Sequence, residues 1–353
     1  MPFRNLKLLI ILNKVLGICS CKLVNGRLKP SSTWSCCVCM LWVLFHCSYM
    51  ATYYYMKYNA LPTEKVKTDF ILTILRFSIY FISLLPYNFI AAFWSQDIVK
   101  MSDKLLTYDE RVIALGHQRK DKHIFVYLYF MYTLVTLSWK SYYTIRDGIS
   151  EGMVGIITIL QNIVLTIVGT YCVLVTCIFL DLIRQRFRHL NETIVPHVSQ
   201  LPVTGSQSEI TVYDVRYLHG VLLDSAELIN TLYGIGTLLT FMSILLELVT
   251  AIYNIIKDMQ EDEIVTMLDL LFQTIYLFAM YHFTTYEANR VEESVIKYGL
   301  SFSNKKCRMD KIEMMLYFYH RRYSFTAAEF FPLDVTIFLP IATAVITYLT
   351  LIV

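Results

Sequence analysis

The chain has 353 residues, of which 56% are hydrophobic and only 17% are charged, and its formal net charge is +3. A composition this apolar excludes a soluble globular protein, and the small positive charge gives no reason to expect a nucleic-acid partner. We therefore expect an all-α, polytopic membrane protein.

Seven apolar segments are long enough to cross the hydrocarbon core of a bilayer, which takes about 20 helical residues. In chain order they are residues 35–55, 70–94, 123–145, 153–181, 234–256, 264–284 and 331–353. The basic stretch before the first span lacks the pattern of a cleavable signal peptide. Helical patterns continue past the fourth and sixth spans, which predicts later helices that extend into a cytoplasmic anchor region.

The predicted organisation has four parts. They are a cytoplasmic N-terminal segment at 1–34, six transmembrane helices with their extensions at 35–284, a cytoplasmic anchor region at 285–330 and a seventh helix at 331–353.

Basic residues are distributed unevenly between the two sides of these spans. The N-terminal segment and the second, fourth and sixth connections hold 24 Lys and Arg residues, whereas the other connections hold 6. Because short cytoplasmic segments retain basic residues, the N-terminus is predicted to be cytoplasmic and the C-terminus extracellular. This is the opposite of a G-protein-coupled receptor, whose Asp-Arg-Tyr and Asn-Pro-x-x-Tyr motifs are also missing. We interpret Asp109-Glu110-Arg111, before the third span, as a solvated charge cluster.

Polar and aromatic side chains recur at helical spacing in the outer halves of several spans. An intramembrane charge costs at least about 2.5–3.5 kcal/mol, so Arg76, Glu247 and Asp269 are expected to face a wet cavity or one another. The alternative is a purely structural ion pair. Aromatic faces beside orienting polar groups suit an amphipathic small molecule. The predicted ligand-binding residues are Arg76, Tyr80, Trp139, Tyr143, Gln161, Asn162, Asp269, Gln273 and Tyr276.

One face of the seventh span carries hydroxyl groups. At about 100° per residue, the same side of a helix holds Thr336, Thr343, Thr347 and Thr350. Either this face has a role of its own, or the threonines bond to carbonyls of their own helix and pack against neighbouring helices.

The C-terminal segment carries a more specific pattern. Ala327-Ala-Glu-Phe-Phe-Pro-Leu-Asp334, followed by Thr347-Tyr348, resembles the C-terminal signature of insect gustatory receptors. In that family Thr-Tyr is followed by five mostly apolar residues and then Gln-Phe. The sequence given ends at Val353, before the last two positions, and Thr350 takes one of the apolar positions. Whether this ending is native or reflects truncation or splicing is left open.

The resemblance implies a ligand-gated, nonselective cation channel in the plasma membrane of a sensory neuron. Four subunits, identical or related, would surround a pore lined by the seventh helices and their hydroxyl face. The implied partners are a small-molecule tastant, membrane lipid, permeating cations and related receptor subunits, and no G protein is required. We expect no enzyme activity, cofactor, metal site or nucleic-acid partner.

The aromatic content of the predicted pocket indicates the class of ligand. A mainly aromatic pocket favours a bitter or otherwise aversive compound, and a sugar-sensing receptor of the same family is the alternative. A secondary transporter that uses His282, Glu247 and Asp269 as a proton path is a further alternative. Against it, His282 lies at the inner end of its span, whereas both carboxylates lie in outer halves.

Overall fold

The computed structural model describes residues 7–30, 33–59, 67–148, 152–198, 210–258, 261–299 and 305–352. Within these ranges a two-stranded hairpin lies between the first two of a series of helices. The elements are α1 (Lys7–Val15), β1 (Lys22–Val24), β2 (Arg27–Lys29), α2 (Thr33–Asn59), α3 (Lys67–Phe93), α4 (Ser95–Ala114), α5 (Ile124–Gly148), α6 (Gly152–His189), α7 (Val212–Asp258), α8 (Glu261–Gly299), α9 (Lys305–His320) and α10 (Phe338–Ile352).

The seven predicted spans lie on α2, α3, α5, α6, α7, α8 and α10. Within the described residues, the stretches that meet the length and hydropathy expected of a membrane span are Ile163–His197, Tyr213–Ile256 and Glu263–Lys297. The pair formed by α3 and α4 meets them as one unit that is bent by 76°, and Cys36–Thr52 is a shorter apolar helix. The prediction of an all-α fold with membrane-spanning helices is confirmed. The orientation in the membrane stays a prediction.

The centre of the bundle is α6, which packs against α5, α7 and α8. Its middle part is mainly apolar and buried, with Val168, Leu174 and Leu180 fully enclosed. A helix that is apolar on most of its surface requires neighbours on most sides. The other major contacts join α3 to α2 and α7, and α4 to α7. The helix α10 lies at the edge of this bundle, where it contacts α7.

In the Asp109-Glu110-Arg111 segment, interpreted as a solvated charge cluster, Glu110 and Arg111 are exposed as expected, whereas the Asp109 side chain is only 13% exposed. The segment lies on α4, which packs against α7, and the Asp109 carboxylate accepts a hydrogen bond from Arg186 at 2.6 Å. The Arg186 side chain is fully buried, and Arg119 lies 3.8 Å from the same carboxylate. Burial, together with the neighbouring Arg186 guanidinium, lowers the pKa of Arg119. The opposite charges on α4, on α6 and in the loop after α4 thus compensate one another. Each of these charged side chains would be costly to bury without its partners.

The linker between α9 and α10 is held by two asparagines. Asn289 on α8 donates to the Tyr323 carbonyl and accepts from its N–H, both at 2.8 Å. Asn230 on α7 bonds in the same two-sided way to the N–H and hydroxyl of Thr326. Ala328 and Glu329 take positive φ angles of 48° and 65° in the turn that follows. The Ala327–Asp334 segment is therefore a docked turn rather than a loose connection.

Removing the Asn289 side chain is expected to lower the thermal stability of the protein. Asn289→Ala deletes two hydrogen bonds to Tyr323 and leaves backbone groups unsatisfied, at an expected cost of about 1–3 kcal/mol. Differential scanning fluorimetry of the purified protein measures the change. The control Glu329→Gly lies in the same linker and removes a strained φ, so its stability is expected to stay level or rise slightly. Equal destabilisation by both variants would contradict the clamp.

The last helix begins at Phe338 and not at residue 331, which corrects the predicted start of the seventh span. A 3-10 turn at Val335–Ile337 precedes it. In this turn the N–H of Thr336 donates to Asp334 Oδ1 at 2.8 Å, and the Thr336 hydroxyl donates to the same oxygen. An aspartate that bonds residues ahead of it favours a turn over helix continuation. Thr336 therefore lies before α10, outside the helix on which the hydroxyl face was derived.

Candidate functional site

A cavity of about 330 Å³ lies between α3, α5, α6, α7 and α8. It occupies the part of the bundle where α5 and α7 end and α6 and α8 begin, which is the predicted extracellular end. Among the predicted ligand-binding residues, its wall contains Tyr80, Trp139, Tyr143 and Gln273. Its volume is at the lower end of the roughly 300–1,000 Å³ typical of small-molecule sites.

Tyr80 reaches the cavity by lying across α6. Its hydroxyl donates to the Leu165 carbonyl at 2.8 Å, and the ring passes directly over Gly169. A Cβ at position 169 would collide with the Tyr80 hydroxyl. The absence of a side chain at Gly169 is therefore what allows the tyrosine to occupy this place.

Gly169→Ala is expected to push the Tyr80 ring out of its position and to change the ligand response more than the stability. The tyrosine is the flexible partner, so the fold can accommodate the methyl group, whereas the cavity wall cannot keep its shape. We expect at least about a tenfold loss of apparent ligand affinity, which corresponds to about 1.4 kcal/mol. Concentration–response curves measure it. In the control Gly220→Ala, the new Cβ comes no closer than 3.5 Å to another atom, which is an ordinary contact distance. An unchanged response in Gly169→Ala would contradict this role.

Asp269 lies behind the cavity wall and holds two residues that face it. Its side chain is only 3% exposed, and its Oδ2 accepts from Lys140 Nζ and, at 3.0 Å, from Gln273 Nε2. Lys140 and Gln273 line the cavity, whereas Asp269 does not. The pair joins α5 to α8 and sets the direction of the polar groups on both walls.

Several wall residues were not predicted as part of a site. Lys140 was counted only as a basic charge beside a span, and Thr166 and Thr170 were not singled out. The two threonines are four residues apart on either side of Gly169, a spacing that places polar groups on one helix face. That spacing could have identified the two threonines as residues of one wall, whereas no local pattern indicates that Lys140 approaches Asp269.

Of the four predicted ligand-binding residues not yet placed, the structure describes the side chain of Tyr276. Tyr276 is outside the cavity, because its ring stacks on Tyr129 with centroids 4.5 Å apart and its hydroxyl donates to the Phe125 carbonyl. The side chains of three further predicted residues lie outside the described part of the structure, and they are Arg76, Gln161 and Asn162.

The threonines of α10 combine both interpretations of the hydroxyl face. Thr343 and Thr347 donate to carbonyls one turn earlier at 3.0 and 2.8 Å, and Thr350 donates to the Thr347 carbonyl at 2.8 Å. All three are nevertheless exposed in the single chain. A hydroxyl that donates inward still offers two lone pairs outward. The side chain of the motif residue Tyr348 lies outside the described part.

No group of three or more His, Cys, Asp or Glu side chains within the described ranges is arranged to hold a metal ion.

Comparisons with known proteins agree with this architecture. Residues 6–353 match the family described as 7tm chemosensory receptor. No curated protein matches the chain. Among solved structures, two of the insect olfactory receptor OR5 from Machilis hrabei, one of them in complex with eugenol, are similar to it. Each has a TM-score of 0.70 and 10% sequence identity, over 99% of this chain and 97% of that chain. At this identity the structures show a shared fold.

The family match covers nearly the whole chain, and the shared fold extends over the same residues. The chain therefore belongs to the 7tm chemosensory receptor family, an insect family of plasma-membrane, ligand-gated receptor channels and not of enzymes.

Proposed function

We propose that this chain is a gustatory receptor subunit that forms a tastant-gated, nonselective cation channel. The observation that carries the proposal is the cavity, because it combines aromatic faces, such as Trp139 and Tyr143, with converging polar groups. Eugenol bound to the related olfactory receptor supports a small organic molecule as the ligand of this fold.

A chain of ring contacts supports a route from the cavity to the last helix. Ser243 on α7 lines the cavity, and Phe241, two residues before it, packs edge-on against Phe278 of α8 and Phe331 of the linker. The centroid separations are 5.3 and 5.7 Å. A ligand that favours one arrangement of α7 and α8 would thus bias the position of α10. It can shift gating only by its differential affinity for the two states.

The exposure of α10 supports a pore at the axis of a homo- or heterotetramer. Leu339 is 76% exposed and Ile346 is 61% exposed, which is unusual for the most apolar helix of a bundle unless lipid or other subunits cover it. In this proposal Thr343, Thr347 and Thr350 offer oxygen atoms to hydrated cations, and apolar positions close the pore by dewetting. Thr336, before the helix, would lie at its inner mouth.

The proposed ligand is a tastant, either the bitter or aversive compound that the sequence favours or a sugar. A secondary transporter is the competing function, and it predicts substrate uptake without channel-sized currents.

The test is a whole-cell recording from cells that express the full chain, with a panel of bitter compounds and sugars applied outside. We expect a ligand-evoked current that reverses near 0 mV in mixed Na⁺ and K⁺ and that persists when G-protein signalling is blocked. The matched control is a cell that expresses Trp139→Ala at equal surface density. Uptake of a labelled tastant without current would favour the transporter. Surface expression without current or uptake would contradict the proposal.

A further inference from the structure

The cavity wall contains more hydroxyl groups than an aromatic ligand requires. Six serine and threonine residues from four helices line it, and they are Ser83, Thr166, Thr170, Thr240, Ser243 and Thr266. Small-molecule sites are usually lined mainly by apolar and aromatic groups with only a few polar ones. The wall is therefore richer in hydroxyl groups than a typical small-molecule site.

Several donors of the wall are already used inside the protein. Tyr80 donates to the Leu165 carbonyl, Ser83 donates to the Tyr80 carbonyl at 2.6 Å, and Thr170 donates to the Thr166 carbonyl at 2.8 Å. The ammonium of Lys140 and the amide N–H of Gln273 both donate to Asp269. The three hydroxyl oxygens keep their lone pairs for a ligand, whereas the Lys140 ammonium can only donate.

Acceptors, by contrast, are abundant on the same wall. The carboxylates of Glu247 and Glu263 line the cavity. Each carboxylate has about four lone-pair sites, and each donating hydroxyl keeps two. Ser243 also lines the cavity, and its buried Oγ has no hydrogen-bond partner among the residues that the structure describes. A buried hydroxyl without a partner is uncommon in proteins.

We infer that the cavity takes a neutral ligand with several hydroxyl groups on a compact ring, such as a free sugar or cyclic polyol. Such a molecule supplies many O–H donors to the acceptor-rich wall, and its C–H face fits against the Trp139 ring. This inference rests on the proposed function and names the ligand class of its site.

A cationic ligand fits the same acceptors less well. Lys140 already brings a positive charge to the wall, and the guanidinium of Arg146 covers the Tyr143 ring at 4.7 Å from its centroid. Glu263 accepts from Asn254 at 2.6 Å, and Glu247 also has an interaction partner. These carboxylates are therefore not free counterions for an ammonium group.

The test measures binding separately from conduction. The purified full chain in lipid nanodiscs is titrated with D-fructose, sucrose and myo-inositol, with caffeine as the aromatic probe and tetramethylammonium as the cationic probe. Binding is followed by the rise in thermal unfolding temperature. We expect at least one neutral polyol to bind, and Ser243→Ala to weaken that binding by about three- to tenfold. The control Ser48→Ala removes an exposed hydroxyl on α2 and is expected to change nothing.

The outcomes separate this inference from the channel proposal. Polyol binding that Ser243→Ala weakens supports the ligand class, even if the same polyol evokes no current, in which case the channel proposal fails. Binding of caffeine or tetramethylammonium alone overturns the ligand class, and a current evoked by either leaves the channel proposal standing. Absence of both binding and current overturns both. A polyol that binds equally to Ser243→Ala and the parent chain overturns the assigned site.

Discussion

Replacing Asp109 by alanine is expected to lower the free energy of unfolding by about 3–5 kcal/mol, the cost of leaving a buried charge without its partner. Arg186 is fully buried, and its Nη2 donates to Asp109 Oδ2 at 2.6 Å. Without this carboxylate, two guanidinium groups, those of Arg186 and Arg119, remain close together in a poorly solvated place. Size-exclusion chromatography and thermal unfolding measure the effect, and we expect the loss of a sharp peak and a lower melting temperature.

Two variants make the Asp109 result specific. Asp103→Ala removes an exposed carboxylate from the same helix and is expected to stay within about 0.5 kcal/mol of the parent chain. The double variant Asp109→Leu with Arg186→Met replaces the ion pair by apolar groups and is expected to recover most of the stability. If Asp109→Ala behaves like Asp103→Ala, the ion pair does not hold α4 to α6.

The second large effect is expected at Asp269. Asp269→Ala removes the acceptor that holds both Lys140 and Gln273 in the cavity wall. We expect at least about a tenfold loss of apparent ligand affinity, because 1.4 kcal/mol of lost orientation already produces that change. A lower stability should accompany it, because the lysine ammonium loses a carboxylate partner in an apolar environment.

A paired substitution separates the two effects at Asp269. In Asp269→Leu with Lys140→Met, no charge of the pair remains, so the fold is expected to regain stability while the ligand response stays weak. The measurements are thermal unfolding and concentration–response curves on the same preparations. Recovery of both properties in the double variant would mean that the pair is purely structural.

The spans were predictable because apolar length determines them, and each predicted span overlaps a helix, although the last helix begins at Phe338 and not at residue 331. The packing of α4 was not predictable in the same way. Its charged surface is typical of a solvated segment, and only the burial of Arg186, which lies 77 positions from Asp109, reverses that interpretation. A sequence pattern reports what a helix carries and not which partner neutralises it.

The candidate site was predictable at the level of single helices. Trp139 and Tyr143 are one turn apart, so their presence on one cavity wall follows from helical spacing. Tyr276 follows Gln273 at a similar spacing, yet its ring stacks on the ring of Tyr129 on α5 and does not line the cavity. The pairing of Lys140 with Asp269 joins residues 129 positions apart, which no local pattern encodes. The residues that share a helix face were thus predictable from the sequence, whereas the contacts between helices were not.

In the proposed function the cavity binds the ligand and the last helix conducts. The most direct test records ligand-evoked single-channel currents from Trp139→Ala and Thr343→Leu beside the parent chain. We expect Trp139→Ala to raise the half-maximal ligand concentration by at least about tenfold with unchanged conductance. Thr343→Leu is expected to lower the conductance with an unchanged half-maximal concentration. If both variants change the same quantity, the division into cavity and pore is contradicted.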